Sequence, residues 1–168
     1  MENEMIYKGY MDSPIGLLEI WATQKGLRRV ERCEKRAESN ENDLVRRCRE
    51  ELSEYFAGRR KSFDLPLDPL GTDYQKRVWK ILETIPYGKT LTYGEVAAKA
   101  GNPKGSRAAG GAAHNNHILI IIPCHRVIGK NRTLTGFGAG LDNKEILLRL
   151  EGKKLAESKK GLATEKVL

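Results

Sequence analysis

Apolar and polar residues sort first into three short runs, Met5–Met11, Ile15–Trp21 and Gly26–Arg32. Asp12-Ser13-Pro14 and Gln24-Lys25-Gly26 separate them, and both are turn chemistry, so an antiparallel meander is predicted. The period then becomes helical. Leu44, Val45, Cys48, Leu52, Tyr55 and Phe56 recur on one face of a helix from about Asn42 to Phe56. Two prolines keep Asp64-Leu65-Pro66-Leu67-Asp68-Pro69-Leu70-Gly71 extended as a linker. Thr72 and Gln75 form a capping box ahead of Tyr74, Val78, Ile81, Leu82 and Ile85, and Pro86-Tyr87-Gly88-Lys89 ends that helix. Thr92 and Glu95 open a shorter helix through about Ala100. Gly101-Asn102-Pro103-Lys104-Gly105 breaks it before another helix from about Ser106 to His114, the outline of a helix-turn-helix. The apolar run Ile118–Ile122 is predicted as a buried strand. Beyond it, Arg126–Ile128 and Leu134–Thr135 are expected to pair around Gly129-Lys130-Asn131-Arg132. A glycine-rich loop, Gly136–Gly140, leads to a last helix starting at Asp142, with Glu145 in capping position and Gly152 as its stop.

Charge sharpens this outline. The net formal charge is +8, and no Asp or Glu occurs between Glu95 and Asp142, a window holding Lys99, Lys104, Arg107, Arg126, Lys130 and Arg132. A cationic stretch without acids attracts polyanions, chiefly nucleic acid, although a solvated basic face gives the same composition. Within the window, Gly110-Gly111 interrupts a helix. Glycine costs about 0.8–1.0 kcal/mol against alanine there. Close approach of another surface and tight packing inside the protein are both adequate reasons. The longest apolar run is far short of a membrane span, and Met1-Glu2-Asn3-Glu4 is not the start of a secretory signal. Three cysteines without paired spacing argue against a disulfide framework and for a reducing cytoplasm. Cys48 lies on the apolar helix face as core, and Cys33 has no assigned role. Lys153, Lys154, Lys159, Lys160 and Lys166 mark a weakly apolar tail, expected to fray.

The chemistry concentrates at Pro123-Cys124-His125-Arg126-Val127. A thiol attacks as thiolate, so it needs a neighbouring base or cation, and His125 and Arg126 supply both. Neighbours on a strand point to opposite faces, so His125 assists Cys124 only if the chain turns there or a water bridges them. A base histidine needs an orienting carboxylate, and Glu151, at the end of the last helix, is the candidate. Alternatives stay open at this level. His114, His117, Cys124 and His125 do not match zinc spacings. A cysteine hydrolase leaves the basic window unexplained, and an inert buried thiol fits residue types alone.

Taken together, Pro123-Cys124-His125-Arg126-Val127, Gly101-Asn102-Pro103-Lys104, Arg107 with Gly110-Gly111, and Leu148–Gly152 resemble the methylated-DNA–protein-cysteine methyltransferases, the O6-alkylguanine-DNA alkyltransferases. The likeness covers roughly residues 72–155. It implies an α+β protein with an RNase H-like domain of antiparallel strands and a helix over residues 1–66, and a linker at 67–71. A mostly helical, winged-helix-like domain carrying the helix-turn-helix follows over 72–155, and then a basic tail over 156–168. It implies that Cys124 accepts an alkyl group from guanine O6, once per molecule and without cofactor or metal. Asn116, His125 and Glu151 take the positions of the family's hydrogen-bonded relay. Tyr93 helps to extrude the nucleotide and protonate the leaving base, and Arg107 fills its place in the duplex. Ser106, Gly110 and Gly111 let the helix lie in the minor groove. Backbone groups of Cys124, Val127 and Gly138 read the base, with Phe137 as a pocket wall where a tyrosine is common. Gly138 stands where serine is common, and His117 where proline is. The implied partner is double-stranded DNA containing O6-alkylguanine, and O4-alkylthymine is a further candidate substrate. A cytoplasmic monomer without membrane contact is expected. The rival reading is a DNA-binding protein without chemistry, such as a helix-turn-helix regulator or a damage sensor, and the sensors of this kind lack the cysteine retained here.

Overall fold

The computed structural model describes residues 4–135, 140–158 and 161–164. They fall into two compact units, Met1–Leu70 with His117–Ile121, and Gly71–Asn116 with Ile122–Leu168.

The first unit is built on a meander of three antiparallel strands, β1 (Tyr7–Met11), β2 (Leu18–Ala22) and β3 (Leu27–Arg32), in that order. Tyr7 faces Ala22, and Leu18 faces both Met11 and Arg32. Leu18, Ile20 and Ala22 are buried on one face of β2, as the period of two requires. Helix α1 (Asp43–Phe56) opens on Asn42, whose side chain accepts from the Val45 amide. It buries Val45, Cys48, Leu52 and Tyr55. Cys48 is thus a core residue, and burial pushes its thiol above the ordinary range. Gly26 lets the extended linker lie on β3: a Cβ there would come within 2.7 Å of the Leu67 backbone. Leu27 N–H donates to the Pro66 carbonyl and Asp68 N–H to the Leu27 carbonyl.

The second unit begins with α2 (Asp73–Glu83), closed at its start by the Thr72–Gln75 capping box. A two-residue strand, β4 (Leu91–Thr92), runs directly into α3 (Tyr93–Lys99), which carries the Thr92–Glu95 box. Helix α4 (Ser106–His114) follows the glycine-containing turn and packs on α2 and α3. The Trp79 indole N–H anchors it by donating to the Ala112 carbonyl at 2.8 Å. The unit continues with β5 (Val127–Ile128), α5 (Leu141–Leu150), β6 (Leu155–Ser158) and β7 (Gly161–Thr164).

Four local expectations are corrected. Ile118–Ile122 is buried but is not a strand: only Ile118 bridges, to Val30, and the rest turns. Ile120 sits at φ +72°, a conformation that costs a β-branched residue dearly. A short apolar run signals burial, and periodicity cannot tell which backbone carries it. The hairpin expected around Gly129–Arg132 keeps its turn, with Gly129 N–H on the Thr133 carbonyl, but its arms pair elsewhere. Val127 and Ile128 lie parallel to Leu91 and Thr92, and Leu134 N–H donates to the Leu162 carbonyl. Helix α5 starts without a side-chain cap, and Glu145 instead pairs with Arg149 one turn on. Finally, the lysine-rich tail is not frayed throughout: residues 155–158 and 161–164 form an antiparallel hairpin.

Candidate active site

Cys124 stands on a single 3-10 turn, Cys124–Arg126, set after Pro123. The turn answers the geometric objection to neighbouring functional residues, because side chains on it do not alternate across a strand. Parallel pairing of β5 with β4 joins this turn to the start of α3, so Cys124 and Tyr93 each lie within three residues of the same two-strand ladder.

The cysteine is buried. Its sulfur accepts a hydrogen bond from Asn116 Nδ2 at 3.2 Å, and the same amide donates to the Ile122 carbonyl at 2.8 Å. Burial pushes the thiol up to about 11, against the pull of the Asn116 hydrogen bond and the Lys144 charge. The thiol is therefore protonated in the DNA-free protein at neutral pH.

His125 Nε2 lies 2.6 Å from Glu151 Oε2, with both side chains fully buried. Glu151 also accepts from Arg126, Oε1 from Nε at 2.8 Å and Oε2 from a terminal nitrogen at 3.0 Å. Arg126 completes its fork on the Ile85 carbonyl. Burial alone would raise the Glu151 carboxyl, but the His125 and Arg126 contacts outweigh it and hold the group well below the carboxylate range. Burial lowers His125, more than Glu151 raises it, which keeps the imidazole neutral. The formal charge on Glu151 is therefore balanced by Arg126, leaving the histidine free to gain a proton. Its other nitrogen, Nδ1, is buried and has no protein partner among the described residues. Sequence reasoning offered Arg126 as a partner for the thiol; the structure commits it to Glu151.

Sequence reasoning missed Lys144. It is fully buried on α5, and its ammonium donates to the Val127 and Thr135 carbonyls. Its nitrogen lies 5.9 Å from the Tyr93 ring centre. Burial lowers it to about 8, and the Cys124 charge acts in the opposite sense. The signal was the spacing of Lys144, Leu147, Leu148 and Glu151, which share one buried face. Tyr93 is part-buried, and burial raises its phenol against a hydrogen bond with Thr135.

Helix α4 buries Ala109, Ala112 and Ala113 and exposes Ser106, Arg107, Ala108, Gly111 and His114. A Cβ on Gly110 would make ordinary contact with the Tyr93 ring at 3.5 Å, and one on Gly111 would meet nothing within 4 Å. Internal packing thus does not require Gly111. The Val127 amide donates to the Cys124 carbonyl, and the Val127 carbonyl accepts from Lys144. Each of these carbonyls keeps a second lone pair. Phe137 and Gly138 lie outside the described residues. Among the described residues no group of three or more His, Cys, Asp or Glu is placed to hold a metal ion, and His117 contacts Glu31 in the first unit.

Two family models match the chain: the DNA-binding domain of 6-O-methylguanine DNA methyltransferase over residues 73–153, and its ribonuclease-like domain over residues 6–69. A methylated-DNA–protein-cysteine methyltransferase of Methanosarcina acetivorans is 47% identical, over 88% of this chain and 99% of its own length. The crystal structure of Mycobacterium tuberculosis O6-methylguanine methyltransferase superposes with a TM-score of 0.79 at 42% identity, covering 88% of this chain and 93% of that one. The same organism's protein in complex with DNA gives 0.76 at 44% identity, covering 84% and 90%.

Proposed function

The chain belongs to the 6-O-methylguanine DNA methyltransferase family, and from that premise we propose that Cys124 is the residue that takes the alkyl group. Transfer of an alkyl group from damaged DNA to a protein cysteine, once per molecule, is the activity of the family. The observation that carries the residue assignment is the Asn116–Cys124 hydrogen bond beside the buried His125–Glu151–Arg126 set.

A base stacked in a duplex is closed to attack at O6, so the nucleotide is extruded first. Exposed Arg107 enters the gap, and the small residues Ser106, Gly110 and Gly111 let α4 approach the minor groove. The carbonyls of Cys124 and Val127 use their spare lone pairs on the base. The thiol proton passes to His125 Nδ1 through a bridging water, while Nε2–H donates to Glu151. Sulfur forms a bond to the alkyl carbon as the carbon–O6 bond breaks, and the electron pair returns to guanine. Guanine leaves protonated at N1 by Tyr93, and the proton held on His125 returns through water to the phenolate. The products are a thioether and an unmodified guanine, and the balance is complete without a cofactor. Asn116 and Lys144 both favour the thiolate, offsetting the burial that disfavours it.

The proposed substrate is double-stranded DNA carrying O6-alkylguanine, with O4-alkylthymine as a further substrate. We place the protein in the cytoplasm as a monomer, consistent with unpaired cysteines; no helix among the described residues is long and apolar enough to cross a membrane. Incubation with an O6-methylguanine duplex should add one methyl, found on the Cys124 peptide by mass spectrometry. An unmodified Cys124 would sink the assignment. Arg107→Ala should slow repair of the duplex far more than reaction with free O6-benzylguanine, and equal loss on both would refute its entry into the duplex.

A further inference from the structure

The β6–β7 hairpin lies beyond residue 153, where the match to the DNA-binding model ends. It is nevertheless tied into the second unit. Ala163 bridges Thr133, and Leu134 N–H donates to the Leu162 carbonyl at 2.9 Å. Leu134, Leu148 and Leu155 form one buried cluster against which Leu162 packs. That cluster fastens three pieces together: the hairpin, the Thr133–Thr135 segment and α5. Both ends of a bond at the active site spring from those pieces. Lys144 sits one turn before Leu148 on α5, and its ammonium donates to the carbonyl of Thr135, the residue after Leu134. Thr135 also bonds with Tyr93, and the Lys144 charge acts on Cys124.

We propose that the β6–β7 hairpin is a positioning element for alkyl transfer, acting through Leu162 and Leu134 to fix Thr135 and thereby Lys144 and Tyr93. This rests on the assignment of Cys124 as acceptor. The hairpin contacts on which this rests run to Thr133, Leu134 and the Leu148 cluster, so its effect belongs on the chemical step and not on DNA affinity. Loss of the Leu162 contact lets the Thr133–Thr135 segment move away from α5. The ammonium then loses one of its two carbonyl anchors and its fixed distance to the sulfur. Cys124, His125 and Tyr93 are the titratable groups that this change reaches.

The test uses the full chain with Leu162→Asp, the milder Leu162→Ala and the conservative Leu162→Met. Three quantities are read per folded molecule: the single-turnover rate on an O6-methylguanine duplex, affinity for undamaged duplex, and the rate of Cys124 carboxamidomethylation by iodoacetamide at pH 7, where the Lys144 ammonium is charged. Displacement of a positioning group by about 1 Å costs on the order of a hundredfold in rate, so Leu162→Asp should slow transfer roughly tenfold or more. Its iodoacetamide rate at pH 7 should fall and its DNA affinity should hold, with Leu162→Met close to the parent. If Leu162→Asp does not fold, Leu162→Ala is expected to show the same pattern in smaller degree. A loss explained entirely by a smaller folded fraction, with both per-molecule rates unchanged, overturns the proposal. If the parent protein takes no methyl, the acceptor assignment falls. The iodoacetamide rate still reports whether the hairpin acts on Cys124.

Discussion

Cys124 waits as a thiol, and its reactivity is set by neighbours whose effects oppose burial. Lys144 is one of them while its ammonium is charged, below about pH 8, so Lys144→Met should slow modification of Cys124 by iodoacetamide at pH 7. Mass spectrometry over a time course gives the rate, and an unchanged rate would remove Lys144 from the site. Glu151 answers to a different measurement. Its folded value is depressed from an ordinary 4.5, so the stabilisation it provides is full above that pH. It is lost progressively as pH falls, because the carboxylate must be protonated to reach the unfolded state's condition. Glu151→Gln leaves Arg126 buried with less than its partner and should cost about 3–5 kcal/mol at neutral pH. The variant should also lose the steep decline in stability below pH 4.5, which urea unfolding at several pH values would show. His125 makes the same point about roles. Its neutral state comes from burial, and neutrality is what a proton acceptor needs.

At the level of elements, α4 carries a conflict between stability and use. Gly111 faces open space, so Gly111→Ala should raise stability by about 0.8–1.0 kcal/mol, the helix-propensity gain, with nothing to clash. The same methyl should weaken binding to duplex DNA, and thermal melting beside anisotropy titration separates the two effects. Increased binding would argue against α4 as the groove-facing helix. The helices were legible in the sequence because their signals are local. The Thr72–Gln75 and Thr92–Glu95 boxes and the Asn42 cap lie within four residues of what they stabilise. The meander was legible for the same reason. What stayed hidden depends on partners far along the chain. Val127 and Ile128 pair with Leu91 and Thr92, and Leu134 pairs with Leu162. Ile120 adopts a left-handed conformation that no rule based on residue type would assign to a β-branched side chain. Lys144 was hidden because a lysine scores as surface, and only its two carbonyl acceptors explain its burial. The proposed site residues Cys124, His125 and Glu151 came from chemistry plus resemblance. Chemistry alone had left an inert thiol in contention.

Over the whole molecule, a formal charge of +8 and an acid-free window from Val96 to Leu141 favour a polyanionic partner. Counterion release makes such binding salt-dependent, with a log–log slope of about −0.9 for each phosphate neutralised. Lys104, exposed in the turn of the helix-turn-helix, is a candidate phosphate contact. Lys104→Ala should reduce the magnitude of the slope by about one while leaving the rate of reaction with free O6-benzylguanine unchanged. An unaltered slope would place Lys104 outside the interface. The path of the chain has another consequence. Between Asn116 and Ile122, which flank the sulfur's hydrogen bond, the backbone leaves its own unit and lends His117–Ile121 to the other. There Leu119 N–H and the His117 carbonyl bond to Val30 of β3. A boundary drawn at Leu70 therefore does not mark a place to cut. A gene fragment starting at Gly71 would carry the buried Ile118 and Leu119 without the strand to which they are bonded. Swapping the first unit for another protein's strands would therefore replace the strand to which His117, Ile118 and Leu119, just before Cys124, are bonded.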